Sequence, residues 1–182
     1  MFYPRPVEAP LRSTACHCQS FTEKPGGCMS VKKGDKAPAF TLFDSDRKER
    51  SLSEFLGKKT LLAFYPGAFT GACTNEMCTF RDSLAELEKL NVQIVGISVD
   101  SPFANKGFKD ANRLTFPLLS DFTRNTSSAY VGLYDGFGGI PGYTAARRAV
   151  IILDEKGVIT YLWATDSPGT EPDYAEVKKA LA

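Results

Sequence analysis

The sequence predicts an α/β protein built on a central mixed β-sheet with helices on both faces. Two short apolar runs, Thr60–Tyr65 and Val92–Val99, have the length and residue types of buried strands. Between them Met77, Phe80, Leu84 and Leu87 recur at helical spacing, so a helix joins two parallel strands. Further on, Ala149–Leu153 and Val158–Trp163 flank a turn at Asp154–Gly157 and read as an antiparallel hairpin.

The elements follow in order. Strand Thr60–Tyr65 is ended by Pro66–Gly67, and the amphipathic helix covers roughly residues 71–90. Val92–Val99 is rich in β-branched residues. Asp100 and Ser101 open a helix from Pro102 to Asn112. Phe116–Leu119 reads as a short strand and Thr123–Tyr130 as a short helix. A glycine-rich loop, Asp135–Gly142, precedes the hairpin, and Pro172–Leu181 closes the chain as a helix. The predicted order is β-α-β-α-β-α-β-β-α. Strands linked through helices are expected to run parallel, and only the late hairpin to add antiparallel pairing.

The 182 residues suit one domain with a full core. Residues 1–28 differ from the rest. They hold Pro4, Pro6, Pro10, Pro25 and the Gly26–Gly27 pair without apolar periodicity, and read as a disordered tail ahead of a domain over 29–182. Cys16, His17, Cys18 and Cys28 lie there, and four such ligands match a zinc site in number only. The Cys-His-Cys adjacency suits a metal poorly, so the reading is no metal and no cofactor. A net charge of +1 offers no electrostatic ground for nucleic acid or an anionic membrane. No apolar run approaches membrane-spanning length, so a soluble chain is expected.

From Met29 onward there is no histidine, which disfavours Ser–His and Cys–His catalysis. Only Cys73 and Cys78 remain there, too few for a secreted disulfide scaffold. They fit a reducing compartment, read as cytoplasmic, or organellar should residues 1–28 target the chain. In such a setting paired cysteines are more often catalytic.

Cys73 is the strongest candidate. It follows Phe64-Tyr65-Pro66-Gly67-Ala68-Phe69-Thr70, where a strand ends, a loop turns and a helix begins. Thr70 is the expected N-cap, its hydroxyl accepting from a free amide of the first turn. Cys73 then lies in that turn, where unsatisfied amides and the helix dipole favour an anion, here the thiolate. An ordinary thiol, with a pKa of about 8.5, is only a few per cent thiolate at neutral pH, and the thiolate is the nucleophile. Cys73 also falls on the apolar stripe, four residues before Met77, which predicts a semi-enclosed pocket suited to a small substrate. A lone cysteine on such a stripe is commonly plain core. That reading stays even for Cys78 and is weaker for Cys73.

Cys73 and Cys78 are five residues apart, which on a regular helix separates their Cα atoms by roughly 8.6 Å. A disulfide needs less than about 7 Å. The pair bonds only if the first turns unwind, and the spacing excludes a Cys-x-x-Cys redox motif. Arg147 and Arg148 adjoin the apolar strand Ala149–Leu153, and adjacent strand residues face opposite ways. One arginine should therefore point inward and need an anion; periodicity does not say which, and both could instead cap the strand end in solvent. Glu76, three residues after Cys73, either holds that arginine or is a solvated first-turn acid. Arg81 is either a surface charge or a second cation near the site.

The segment Pro66-x-x-x-Thr70-x-x-Cys73 resembles the active-site signature of the peroxiredoxin family. The flanking Phe-Tyr-Pro and Cys-Thr-Phe-Arg-Asp elements, with Cys78 five residues on, resemble its Q-type branch, the bacterioferritin-comigratory proteins. The likeness covers most of residues 31–182, including Gly34-Asp35-x-Ala37-Pro38-x-Phe40-x-Leu42. It implies a thioredoxin-like fold and a peroxidase acting on hydrogen peroxide or organic hydroperoxides. Cys73 would be the peroxidatic cysteine, oxidised to a sulfenic acid. Cys78 would resolve it as an intramolecular disulfide, recycled by thioredoxin or a similar dithiol protein. Thr70 would hydrogen-bond peroxide and sulfur, Pro66 would shield the sulfenate, and Arg148 would be the arginine beside the sulfur. The chain would act as a monomer or homodimer. Competing readings are a protein-disulfide oxidoreductase, which the cysteine spacing disfavours, and a redox relay or holdase chaperone, which a peroxide-consumption assay would separate.

Overall fold

The structure is a computed structural model and describes residues 30–181. The tail assigned to residues 1–28, with Cys16, His17, Cys18 and Cys28, lies outside the described residues. The chain forms β1 (Thr41–Asp44), β2 (Glu49–Ser51), β3 (Lys59–Phe64), α1 (Gly71–Lys89), β4 (Val92–Ser98), α2 (Pro102–Ala111) and β5 (Leu118–Ser120). It continues with α3 (Asn125–Tyr130), β6 (Leu133–Tyr134), β7 (Ala145–Ala146), β8 (Ala149–Leu153), β9 (Ile159–Ala164) and α4 (Tyr174–Leu181). Short 3-10 turns sit at Leu52–Phe55 and Phe137–Gly139.

Seven strands make one sheet in the order β2-β1-β5-β4-β3-β8-β9, and β6 with β7 makes a small ladder beside it. Strands β3, β4 and β5 run parallel. Strand β8 runs antiparallel to β3, although a helix precedes it, which corrects the expectation of parallel pairing across every helix. Strand β8 starts opposite the carboxyl end of β3, Ala149 against Phe64, at the pole where β5 also ends, so α3 and the β6–β7 ladder join β5 to β8 without crossing the sheet. The β1–β2 hairpin was not legible in the sequence. Its turn carries no Asn-Gly or Asp-Gly signal; the Asp44 carboxylate builds it by accepting from the Asp46 and Lys48 amides at 2.8 and 3.0 Å.

Strand periodicity assigns the two faces. Leu61, Ala63 and Tyr65 point to one side of β3 and join α1, α2 and α4 through Met77, Phe80, Phe108 and Val177. Leu62 and Phe64 point to the other and pack with Phe40, Phe55, Tyr130 and Val131. Both faces are covered, so β3 reads as a continuous apolar run. Among the described residues no helix is long and apolar enough to cross a membrane.

Gly96, in the middle of β4, lies beneath the site. A Cβ there would meet Leu118 Cδ2 at 2.5 Å and Tyr65 Cε1 at 3.3 Å, with Met77 Sδ at 3.6 Å. The absent side chain lets Tyr65 and Met77 close under Cys73. Gly96→Ala is expected to cost about 1–3 kcal/mol through overpacking, read as a lower urea midpoint with unchanged slope.

Candidate active site

Strand β3 delivers the chain into Tyr65–Thr70, a loop held on several sides. The buried Tyr65 donates from its hydroxyl to Asn105 Oδ1 at 2.7 Å, and its amide donates to the Ile97 carbonyl at 3.0 Å. Pro66 is buried at the strand end. The Ala68 amide donates to Asp100 Oδ2 at 2.8 Å, and the Asp100 carbonyl accepts from the Ser120 hydroxyl. Phe69 is left-handed, with φ +64°, a strained setting for a bulky residue. Its ring sits edge-on to Phe108 with centroids 5.3 Å apart.

Thr70 occupies the N-cap position with extended backbone, but its hydroxyl does not cap the helix. It donates to the Gly67 carbonyl at 3.0 Å instead, which corrects the sequence expectation. The tight loop brings that carbonyl within reach, so the hydroxyl serves the loop. The amides of Gly71, Ala72 and Cys73 precede the first intrahelical donor, Thr74, whose amide reaches the Thr70 carbonyl at 2.9 Å.

Cys73 is fully buried among the apolar residues of this face, more enclosed than the semi-enclosed pocket expected from sequence. Arg148 comes to it from the start of β8. Residues 148, 150 and 152 share one strand face, and Val150 and Ile152 belong to the Cys73 cluster. Arg148 is therefore the inward arginine, 1% exposed, and its Nη2 donates to Cys73 Sγ at 3.2 Å. Its Nη1 pairs with Glu76 Oε2, while Nε and Nη2 donate to the Pro168 carbonyl at 3.1 and 2.7 Å. Arg147 faces away and pairs with Asp166. Both are buried, Arg147 at 8% exposure, so neither ends in solvent.

Glu76 is fully buried and holds the arginine, so the reading of a solvated acid falls. Burial pushes its carboxyl up to about 7, while the charge and hydrogen bond of Arg148 pull it down. Its second oxygen, Oε1, has no partner among the described residues. Burial opposes the Arg148 charge, but Glu76 and Cys73 outweigh it and hold the guanidinium cationic above its ordinary range. The result is a sulfur, a guanidinium and a carboxyl fixed in one buried row.

Cys78 lies five residues along the same unbroken helix, half-buried, its thiol donating to Asn112 Oδ1 at 3.7 Å. Both thiols are free. Arg81 donates from Nη1 to the carbonyl of that same Asn112 at 2.6 Å and pairs with Asp82, so it is not a second cation on Cys73. A groove of about 450 Å³ lined by Lys58, Leu84, Asn91 and Pro117 lies at the amino ends of the parallel strands, the pole away from Cys73. Sequence reading missed Asp100 and the Pro168 carbonyl as supports. Asp100 had been read with Ser101 as a helix opener. Ser101 alone takes that role, accepting from the Ala104 amide at 3.2 Å, and so releases Asp100 to the loop.

Fold and site together define a cysteine-centred site on a thioredoxin-like α/β scaffold. Residues 33–162 match the AhpC/TSA family, and the chain belongs to it. Among its relatives is Peroxiredoxin Q, chloroplastic, of Triticum aestivum, 40% identical over 136 residues, or 75% of this chain. The match spans 60% of the wheat protein's length. A bcp peroxiredoxin of Coxiella burnetii is 39% identical over 135 residues, covering 74% of this chain and 89% of that protein. The crystal structure of peroxidoxin BcpB from Mycobacterium tuberculosis superposes with a TM-score of 0.70 at 30% identity. That match covers 83% of this chain and 94% of the other. The Q-type likeness in the motif and these relatives agree.

Proposed function

We propose that the chain is a thiol-dependent peroxidase that reduces hydrogen peroxide and organic hydroperoxides through Cys73. The observation that carries this reading is the Arg148 guanidinium at 3.2 Å from the sulfur of a buried first-turn cysteine. The cation and the free first-turn amides face the sulfur, where negative charge has to be held, without any histidine. In the first half-reaction the Cys73 thiolate attacks one peroxide oxygen and the O–O bond breaks. The other oxygen leaves with a proton as water or alcohol, and Cys73 becomes a sulfenic acid. Arg148 and the first-turn amides stabilise charge on both oxygens, and the Thr70 hydroxyl is a donor that can turn from Gly67 toward the peroxide. Pro66 closes the sulfur from water, and Glu76 holds Arg148 in place.

In the second half-reaction Cys78 attacks the sulfenic acid to form an intramolecular disulfide, which thioredoxin or a similar dithiol protein reduces by exchange. The start of α1 unwinds to allow it. Hydroperoxide consumption coupled to thioredoxin, its reductase and NADPH tests the whole reading; no turnover with either peroxide class would overturn it. The setting is a reducing compartment, cytoplasmic or organellar, and the chain acts as a monomer or homodimer.

Cys78→Ser is expected to leave the first oxidation intact. Peptide mapping after one equivalent of peroxide should show no intramolecular disulfide, and turnover with thioredoxin should fall at least tenfold. Unchanged recycling would assign resolution to a different thiol.

A further inference from the structure

Arg148 is held from two sides that fare differently in the proposed cycle. One side is α1. Cys73 Sγ accepts from Nη2 at 3.2 Å and Glu76 Oε2 pairs with Nη1, and both acceptors leave when the first turns open. The other side is the Pro168 carbonyl, which accepts from Nε at 3.1 Å and from Nη2 at 2.7 Å. Two donors of a rigid planar fork on one oxygen leave the guanidinium little freedom to swing. Residues 165–168, which follow β9, are themselves tied down by groups outside α1. The Thr165 amide donates to the Arg148 carbonyl at 3.2 Å, and the Thr165 carbonyl accepts from the Tyr134 hydroxyl at 2.7 Å. The Asp166 carboxylate pairs with Arg147, and the Ser167 amide donates to Thr165 Oγ1 at 3.1 Å. Tyr134 has the widest reach of these ties. Its hydroxyl also accepts from the Arg148 amide at 3.4 Å, so one oxygen joins the backbone of Arg148 to the segment that pins its side chain. The β6–β7 ladder sets Tyr134 opposite Ala145, and Phe137 of the glycine-rich loop stacks on its ring with centroids 6.3 Å apart. A half-buried tyrosine needs one hydroxyl partner; this one has two, both on the frame of Arg148.

We propose that Tyr134 is a positioning residue for peroxide reduction. Through the Thr165 carbonyl it fixes residues 165–168, and through the Pro168 carbonyl these hold the Arg148 guanidinium at the Cys73 sulfur. The proposal rests on the reading of Cys73 as the nucleophile and of Arg148 as the group that stabilises charge on the reacting oxygens. Glu76 does not replace this support, because it rides on the helix turns that open in every cycle. Tyr134 and the Pro168 carbonyl lie outside that helix, so the guanidinium keeps its place for α1 to close onto. Tyr134 acts only through Arg148, and its effect therefore depends on that guanidinium being present.

The test is a double-variant cycle on the first oxidation. Loss of the free Cys73 thiol with time after adding hydrogen peroxide is mapped by mass spectrometry, which reads that step whatever follows it. Tyr134→Phe keeps the ring and its stacking and removes one oxygen. It is expected to lower the second-order rate about tenfold, the effect of a misplaced group rather than a missing one. In an Arg148→Gln background, adding Tyr134→Phe should change the rate by less than about twofold, because the two variants remove the same contribution. Asp166→Ala, at an exposed side chain, should lower the rate several-fold and should likewise add nothing to Arg148→Gln. A merely structural role would give the same loss with and without Arg148. That result overturns the proposal, and so does an unchanged rate in Tyr134→Phe. If peroxide leaves the Cys73 thiol of the unsubstituted chain free, the reading of Cys73 fails and the proposal falls with it. If that thiol oxidises and Tyr134→Phe matches its rate, the proposal alone falls.

Discussion

Cys73→Ser is expected to reduce hydroperoxide consumption to the uncatalysed background. The substitution keeps volume and shape, and a serine oxygen can still accept from Arg148 Nη2, so the buried guanidinium keeps a partner. Far-UV circular dichroism and the melting temperature should stay close to those of the unsubstituted chain. What is lost is the thiolate. A hydroxyl in this domain has no histidine to act as its base, and the row of Arg148 and Glu76 stabilises an anion without generating one from an alcohol. The effect is therefore nearly complete, unlike the loss of a supporting residue. Turnover retained by Cys73→Ser would remove the central claim, and a folded, inactive variant would separate chemistry from stability.

The depth at which Cys73 sits has a mechanical side. Cys73, Glu76 and Met77 are all fully buried on the first turns of α1. To reach Cys78, those turns must open and expose at least the methionine, whose burial is worth about 1.5–3 kcal/mol. The ion pair of Glu76 with Arg148 opens with them. In the proposed cycle the resting helix therefore holds the reduced form, and formation of the S–S bond would offset the opening.

Much of this arrangement was legible before any coordinates. Apolar runs placed β3, β4 and β8, and helical spacing placed α1 with its buried stripe. Strand alternation said that one of two arginines turns inward, though parity alone could not say which. Features that depend on contacts distant in sequence were not legible. The Pro168 carbonyl meets Arg148 from twenty residues away, and Asp100 meets Ala68 from thirty-two. Neither spacing has a local signature. The Thr70 hydroxyl was misread because cap preference is local, while the choice between a helix amide and the Gly67 carbonyl depends on how tightly the loop closes. The direction of β8 was hidden because it depends on the pole at which the chain re-enters the sheet, and the short α3 and the two-residue strands β6 and β7 carry no pattern that fixes it.

Arg148→Gln should combine two losses that separate by pH. Removing a preorganised charged donor beside the reacting oxygens is expected to slow sulfenate formation by roughly 10²–10³-fold. It also strands Glu76, since breaking a buried ion pair costs about 3–5 kcal/mol while the remaining group stays charged. The sign of the pH dependence follows from Glu76. Burial raises its carboxyl from the ordinary 4.5 to about 7, so the folded chain keeps a proton that the unfolded chain releases. This contribution to stability is fully present below 4.5 and is lost as pH rises through about 7, with a slope of at most about 1.4 kcal/mol per pH unit. In Arg148→Gln the downward pull of the guanidinium is gone, so the carboxyl moves higher and the loss continues into the alkaline range. Urea unfolding at pH 5 and pH 8 should therefore show a wider stability gap in Arg148→Gln than in the unsubstituted chain. Adding Glu76→Gln should close that gap, because no carboxyl is left to titrate, yet leave sulfenate formation slow. Recovery of the rate in the double variant would mean that Arg148 acts by holding Glu76 rather than by touching the sulfur.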